Sequence, residues 1–155
     1  MSVSNFRWDH WIDEANKEVY GDDPKETAAT RAVHEVVPVD LKIPGCPVSK
    51  NEVERIVQHL IWGLPFSFPS YPVCLECKQR YTVCMFDKGE LCLGPITKGG
   101  CDAPCPAGGL GCWGCRGPAA DPNYEEFIEI ARSKGFDKEQ MNERLSFFGG
   151  FEVKV

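Results

Sequence analysis

Eight of the nine cysteines in this 155-residue chain fall between Cys74 and Cys115, and the ninth, Cys46, stands alone upstream in Pro44-Gly45-Cys46-Pro47. Their spacing is Cys74-x2-Cys77-x6-Cys84-x7-Cys92, then Cys101-x3-Cys105-x6-Cys112-x2-Cys115. Thiolates are soft, charged ligands, and four of them satisfy either tetrahedral zinc or a four-iron four-sulfur (4Fe-4S) cluster. Taken in chain order the eight make two sets, Cys74, Cys77, Cys84 and Cys92, then Cys101, Cys105, Cys112 and Cys115. A fourth ligand exchanged between the sets, as in two-cluster ferredoxins, is the other arrangement open to them. Zinc ribbons pair two C-x2-C knuckles across about 15–20 residues. The first set has one such knuckle followed by two singly placed cysteines, which suits a loop around a bulky cluster better than a hairpin around one ion. Glycines at 89, 94, 99, 100, 108, 109, 111 and 114 let the backbone approach and aim N–H groups at sulfur. Pro106 after Cys105 matches the Cys-Pro ending of bacterial ferredoxin motifs. The chemistry favoured is one-electron transfer through two 4Fe-4S clusters, and a zinc-binding structural module is the alternative.

Such ligands need elements to position them. Residues 1–32 read as helix, with Phe6, Trp8, Trp11, Ile12, Ala15 and Val19 at helical spacing, a stop at Gly21-Asp22-Asp23-Pro24, and a second short helix from Glu26 to Ala32. VHEVVPVDLKIPGCP then alternates, with Val37, Val39, Leu41 and Ile43 on one face, as in a strand buried on one side; Pro38 suits an edge or a strand start. After the turn at Cys46, Ser49 and Glu52 make an S-x-x-E capping box, and Val53, Ile56, Val57, Leu60 and Ile61 form the apolar stripe of a helix that Gly63 and Pro65 end. This strand–turn–helix order resembles one unit of an open α/β sheet, where ligands sit beyond the carboxyl ends of strands, the position of Cys46.

Residues 64–72 are a proline-punctuated linker. From Cys74 to Pro118 periodicity is lost, aliphatics are sparse, and the segment is expected to depend on its thiols rather than on a core of its own. Order returns with Asp121-Pro122 as cap and first position of a helix that buries Tyr124, Phe127, Ile128 and Ala131 and closes at Gly135. Asp137 to Gln140 is a second capping box, followed by Met141, Leu145, Phe147 and Phe148, with Gly149-Gly150 as the stop. The fold expected is α/β, with a partial flavodoxin-like strand–turn–helix part over 1–72, an irregular two-cluster iron–sulfur domain over 73–120, and a C-terminal helical segment over 121–155.

The net charge of −6 excludes a general nucleic-acid binder and an anionic membrane surface as partner. No apolar run approaches the ~20 residues of a membrane span, and the polar, acidic start reads as no leader, so a cytoplasmic location is expected. In a reducing compartment dense thiols hold metal more often than disulfides. His10, His34 and His59 lack metal spacing and read as surface or helix-face residues. Trp113 could shield a cluster or pack on the C-terminal helices. Lys78, Arg80, Lys98 and Arg116 could offset cluster charge or be solvated. Phe6, Trp8 and Trp11 read as core before they read as a docking face. No nucleophile elbow, phosphate loop or paired carboxylates stand out as catalytic.

CLGPITKGGC at 92–101, followed by CPAGGLGCWGC at 105–115 and preceded by PGCP at 44–47, resembles the small subunit of nickel–iron hydrogenases. The resemblance runs from Val33 to the end of the chain and is nearest to the cytosolic sulfhydrogenase delta type, a relative of F420- and NAD-linked hydrogenase small subunits and of a subunit of NADH:quinone oxidoreductase. It implies that Cys74, Cys77, Cys84 and Cys92 hold the distal cluster. It implies that Cys101, Cys105, Cys112 and Cys115 hold the medial one, where Cys105 completes a cubane. By the same resemblance Cys46 is the last ligand of a proximal cluster facing the nickel subunit. The family supplies the other ligands of that cluster from a C-x2-C pair and a third cysteine upstream, and this chain has no cysteine before Cys46. Those ligands are then on another polypeptide, or this is a shortened member; an unliganded thiol is the remaining reading of Cys46. The role implied is a non-catalytic electron-transfer subunit. Its expected partners are the hydrogenase large subunit and a diaphorase, F420 or ferredoxin-type subunit. An iron–sulfur subunit of another oxidoreductase that reuses this wiring is a further alternative.

Overall fold

The computed structural model describes residues 17–21, 33–148 and 151. Phe6, Trp8, His10, Trp11, Ile12, Ala15, the short helix at 26–32 and Gly149-Gly150 lie outside them. The chain divides into two compact units, Met1–Lys42 and Ile43–Val155.

In the first unit, residues 17–20 are helical and Val33–Glu35 form a single 3-10 turn. The alternating segment that follows has no ladder partner among the described residues. The β-bridges lie elsewhere, at Pro72–Lys98 and Thr97–Pro118. Val37 and Val39, expected on a buried face, stand 47% and 41% exposed. A strand exists through the backbone groups of its neighbour, and alternation in sequence says nothing of whether that neighbour is present.

The second unit begins with the turn at 44–47, whose Cys46–Pro47 peptide bond is cis, and runs into helix α1, Lys50–Ile61. Two expectations change here. Ser49 makes no side-chain cap, and the Glu52 carboxylate, which a capping box would return to the Ser49 N–H, accepts from Arg116 instead. The helix buries Glu52 and Ile56, while Val57, Leu60 and Ile61 are exposed. The face turned inward is thus the one that carries Glu52 and Ile56, and the rest of the expected stripe is not buried with it. The ion pair joins residue 52 to residue 116, and α1 lies in the same compact unit as the cysteine segment, Ile43–Val155.

Helix α2, Val73–Gln79, then 3-10 turns at Met85–Lys88 and Gly94–Ile96, lead to the short helix α3, Pro104–Ala107. Helix α4, Tyr124–Ser133, is capped by Asn123, whose side chain accepts the N–H of Glu126 at 3.1 Å. The cap lies two residues beyond the expected Asp121. Helix α5, Lys138–Ser146, carries the expected capping box between Asp137 and Gln140.

The cysteine segment does contribute to an apolar core, contrary to expectation. Val73, Met85, Phe86, Leu91, Leu93 and Ile96 are buried in one cluster with Phe127 and Ala131 of α4 and Met141 and Leu145 of α5. Its few aliphatics are spaced without period, yet all turn inward because the two C-terminal helices cover them. The local backbone is tight. A Cβ at Gly111 would overlap the carbonyl of Leu91, so only glycine lets these two stretches of chain pass.

Candidate metal centre of two thiol sets

All nine cysteines are free thiols. Helix α2 carries Cys74 and Cys77 one turn apart. Cys84 follows in an exposed loop and Cys92 in the buried stretch before Gly94. The four meet electrostatically: Cys74 is pushed up to about 12, first by burial and then by the neighbouring charges of Cys92, Cys77 and Cys84. Gly94 sits against two of them, with Cys92 Sγ and Cys74 Sγ at 3.3 and 3.4 Å from where a Cβ would be.

The second set surrounds a cavity of about 200 Å³ lined by Cys101, Cys105, Cys112 and Cys115, with Cys46 as a fifth thiol. Burial pushes Cys101 up to about 11 and raises Cys112 and Cys115. Among the described residues no three His, Cys, Asp or Glu side chains converge closely enough for a single bound ion.

Backbone donors oppose that rise. Cys92, Cys101 and Cys112 each accept an N–H from the residue two positions on, Gly94, Ala103 and Gly114. Cys115 accepts the N–H of Cys46, and Cys92 also accepts that of Cys112 at 3.2 Å. N–H groups aimed at sulfur favour the thiolate, while burial without a cation favours the thiol. A site that does both is suited to thiolates whose charge is met by bound metal. The turn after Cys101 is also strained: Asp102 and Ala103 both hold positive φ, 63° and 46°. Non-glycine residues in that region cost on the order of 1 kcal/mol each and collect at functional sites.

The site depends on side chains that spacing does not single out. Glu76 is 5% exposed, accepts the N–H of Gly100, and has Cys101 Sγ 3.7 Å from Oε2. Glu52 reads from sequence only as a cap. The signal available is weak: each is an acidic residue at an otherwise apolar helix position. Of the cations near the cysteines in sequence, Arg116 is buried, Arg80 donates to the Asp102 carbonyl at 2.7 Å, and Lys78 is exposed. Trp113 packs against the C-terminal helical segment, as one of its two readings had it. It lines the cavity and packs on Phe147, with the Arg144 guanidinium 3.5 Å above its ring. Nη1 of Arg144 is buried without a hydrogen-bond partner, and its guanidinium lies within electrostatic reach of Cys92 and Cys112. A buried orphan donor beside thiols fits an anionic group held there. His59 bonds the Pro65 carbonyl through Nδ1, and His34 is exposed.

No family model matches the chain. The delta subunit of sulfhydrogenase 2 from Pyrococcus furiosus is 43% identical over 77% of this chain and 52% of the relative. The F420-non-reducing hydrogenase of Methanothermobacter marburgensis has a G-type subunit that is 29% identical over 80% of this chain and 50% of the relative. The iron-sulfur G-type subunit of the F420-non-reducing hydrogenase of Archaeoglobus profundus is 29% identical over 61% and 38%. The chain thus spans about half the length, or less, of these relatives.

Proposed function

We propose that this chain, which belongs to the family of hydrogenase delta-type and G-type subunits, is an electron-relay subunit holding two 4Fe-4S clusters. Cys74, Cys77, Cys84 and Cys92 would hold one, and Cys101, Cys105, Cys112 and Cys115 the other. Bound there, the clusters would supply one-electron redox chemistry. The observation that carries the reading is the second thiol set, whose four sulfurs line a cavity of about 200 Å³ and of which three accept aimed backbone N–H groups. That volume suits a multi-atom cluster better than one zinc ion, which four thiolates close around at about 2.3 Å.

The chain's own part is to hold, space and dry the clusters. Val73, Ala103 and Trp113 line the cavity beside the thiols, and the knuckle N–H groups would stabilise negative sulfur. Cys46 would contribute to a third cluster whose remaining ligands lie outside these 155 residues. The alternating segment at 37–43 would then pair within a flavodoxin-like sheet completed outside the described residues. The partners would be a nickel–iron large subunit and a nicotinamide-, F420- or ferredoxin-linked subunit, in the cytoplasm. Among the described residues no helix is long and apolar enough to cross a membrane.

The test is the iron, acid-labile sulfide, zinc and nickel content of anaerobically purified complex, with EPR of the reduced protein. About eight irons and eight sulfides per chain are expected from these two clusters, with the iron of the third cluster and of the partner subunits in addition, and with a reduced-cluster signal. Stoichiometric zinc in a colourless protein would reject the relay and establish the structural zinc module.

A further inference from the structure

The guanidinium of Arg116 is bound on every side. Nε donates to the Gly99 carbonyl at 2.8 Å, Nη1 to the Pro44 carbonyl at 2.8 Å and to Glu52 Oε2 at 2.7 Å, and Nη2 to Glu52 Oε1 at 2.6 Å. Its side chain is 1% exposed and that of Glu52 is 0%. Gly100 is shaped to the pair, with φ +108° and a Cβ position 2.6 Å from Arg116 Nη2 and 2.9 Å from Glu52 Oε1. A buried ion pair of this kind adds little stability over well-packed apolar side chains, yet removing one partner strands a charge. What it does provide here is position. Pro44 stands two residues before Cys46, Gly99 two before Cys101, and Arg116 directly after Cys115. One planar group therefore ties together three segments whose cysteines line the same cavity.

We propose that Arg116 and Glu52 are a positioning pair for the second thiol set, joining Cys46 to Cys101 and Cys115 and keeping the cluster there beside a neutral, rather than a cationic, neighbour. The proposal rests on the relay reading above. The Arg116 charge acts on Cys101 and Cys115, and Glu52 answers it through two charge-assisted hydrogen bonds. Taking away the carboxylate charge exposes the cluster to an uncompensated cation, which stabilises the more negative, reduced state. Taking away the guanidinium does the opposite.

Redox titration followed by EPR tests this on the anaerobic complex, with the cluster at Cys74 to Cys92 as internal reference. Glu52→Gln is expected to favour reduction of the second cluster about tenfold, which is about 59 mV for one electron. Arg116→Gln is expected to disfavour it by a similar factor. The double variant Glu52→Gln/Arg116→Gln, neutral again, is expected to return towards wild type, whereas damage to packing alone would leave it at least as displaced as either single change. Loss of the second signal in one single variant, with its recovery in the double, supports the pair equally. Equal potentials in all three variants, or loss of the second signal in all three, overturns the proposal while iron in the wild type keeps the relay standing. A wild-type protein without iron overturns both.

Discussion

The backbone N–H of Cys112 donates to Sγ of Cys92 over 3.2 Å, so a cysteine of the second set steadies one of the first. The same meeting point brings Leu93 N–H to the Cys112 carbonyl at 3.0 Å. The two sets are thus one structural body, and damage to the buried member should spread further than damage at the rim.

On the relay reading, serine at Cys84, an exposed first-set position, is expected to remove about four irons per chain and leave the second EPR signal intact. Serine at Cys112, which is 7% exposed, is expected to remove the second cluster and also to broaden or shift the first, through the Cys92 contact. Iron analysis and EPR of both variants check this. Identical spectra for the remaining cluster in wild type and Cys112→Ser would show the bridge to be inert.

The metal-free protein should lose stability as pH rises. Thiols titrate near 9 when free, and folding raises Cys101 to about 11 and Cys74 to about 12 by burial first. A raised folded pKa contributes stability that is fully present below the unfolded value and is lost as pH rises through the folded one. The window therefore runs from about 9 to about 12. The urea midpoint of apoprotein is expected to fall across it, with a shallower fall in Cys74→Ala/Cys101→Ala; equal slopes would refute the assignment. Metal binding has the opposite sense, because thiolate ligands release protons on loading.

Phe127 is 1% exposed and sits 6.4 Å, centroid to centroid, from Phe86. Among the described residues it is the largest fully buried side chain, and it joins α4 to the cysteine segment. Phe127→Ala should cost about 3–5 kcal/mol, read from the denaturant midpoint of the apoprotein. If the segment instead depended on metal alone, as its sparse aliphatics suggest, the cost would fall near the value for a surface change.

The N-terminus of α4 offers a sharper comparison. Asn123→Ala should cost about 1 kcal/mol, because the Asn123 side chain accepts the Glu126 N–H. Asp121→Ala, at an exposed position, is expected to leave stability within about 0.5 kcal/mol. Thermal or urea unfolding of the two variants decides which residue caps the helix.

Much of this molecule is legible where the physics is local. The box at Asp137 and Gln140 closes over three residues, and residue type alone selects it. The C-x2-C pair at Cys74 and Cys77 sits on one helical turn, so its spacing implies its geometry. Local signals also mislead when a distant partner competes for the same group. Glu52 completes an S-x-x-E pattern with Ser49, but its carboxylate forgoes the reciprocal bond to the Ser49 N–H for two charge-assisted bonds from the buried Arg116.

The sequence by itself determined the number of thiols, their order, the chemistry they can serve and the family they mark, because these follow from residue type and short spacing. Only the tertiary structure decided that Cys46 faces the second set, that Cys112 touches Cys92, and that Glu52 meets Arg116 rather than Ser49. Those contacts join residues tens of positions apart. They form when burial forces polar groups to find partners wherever the folded backbone has brought them, and no spacing along the chain encodes that choice.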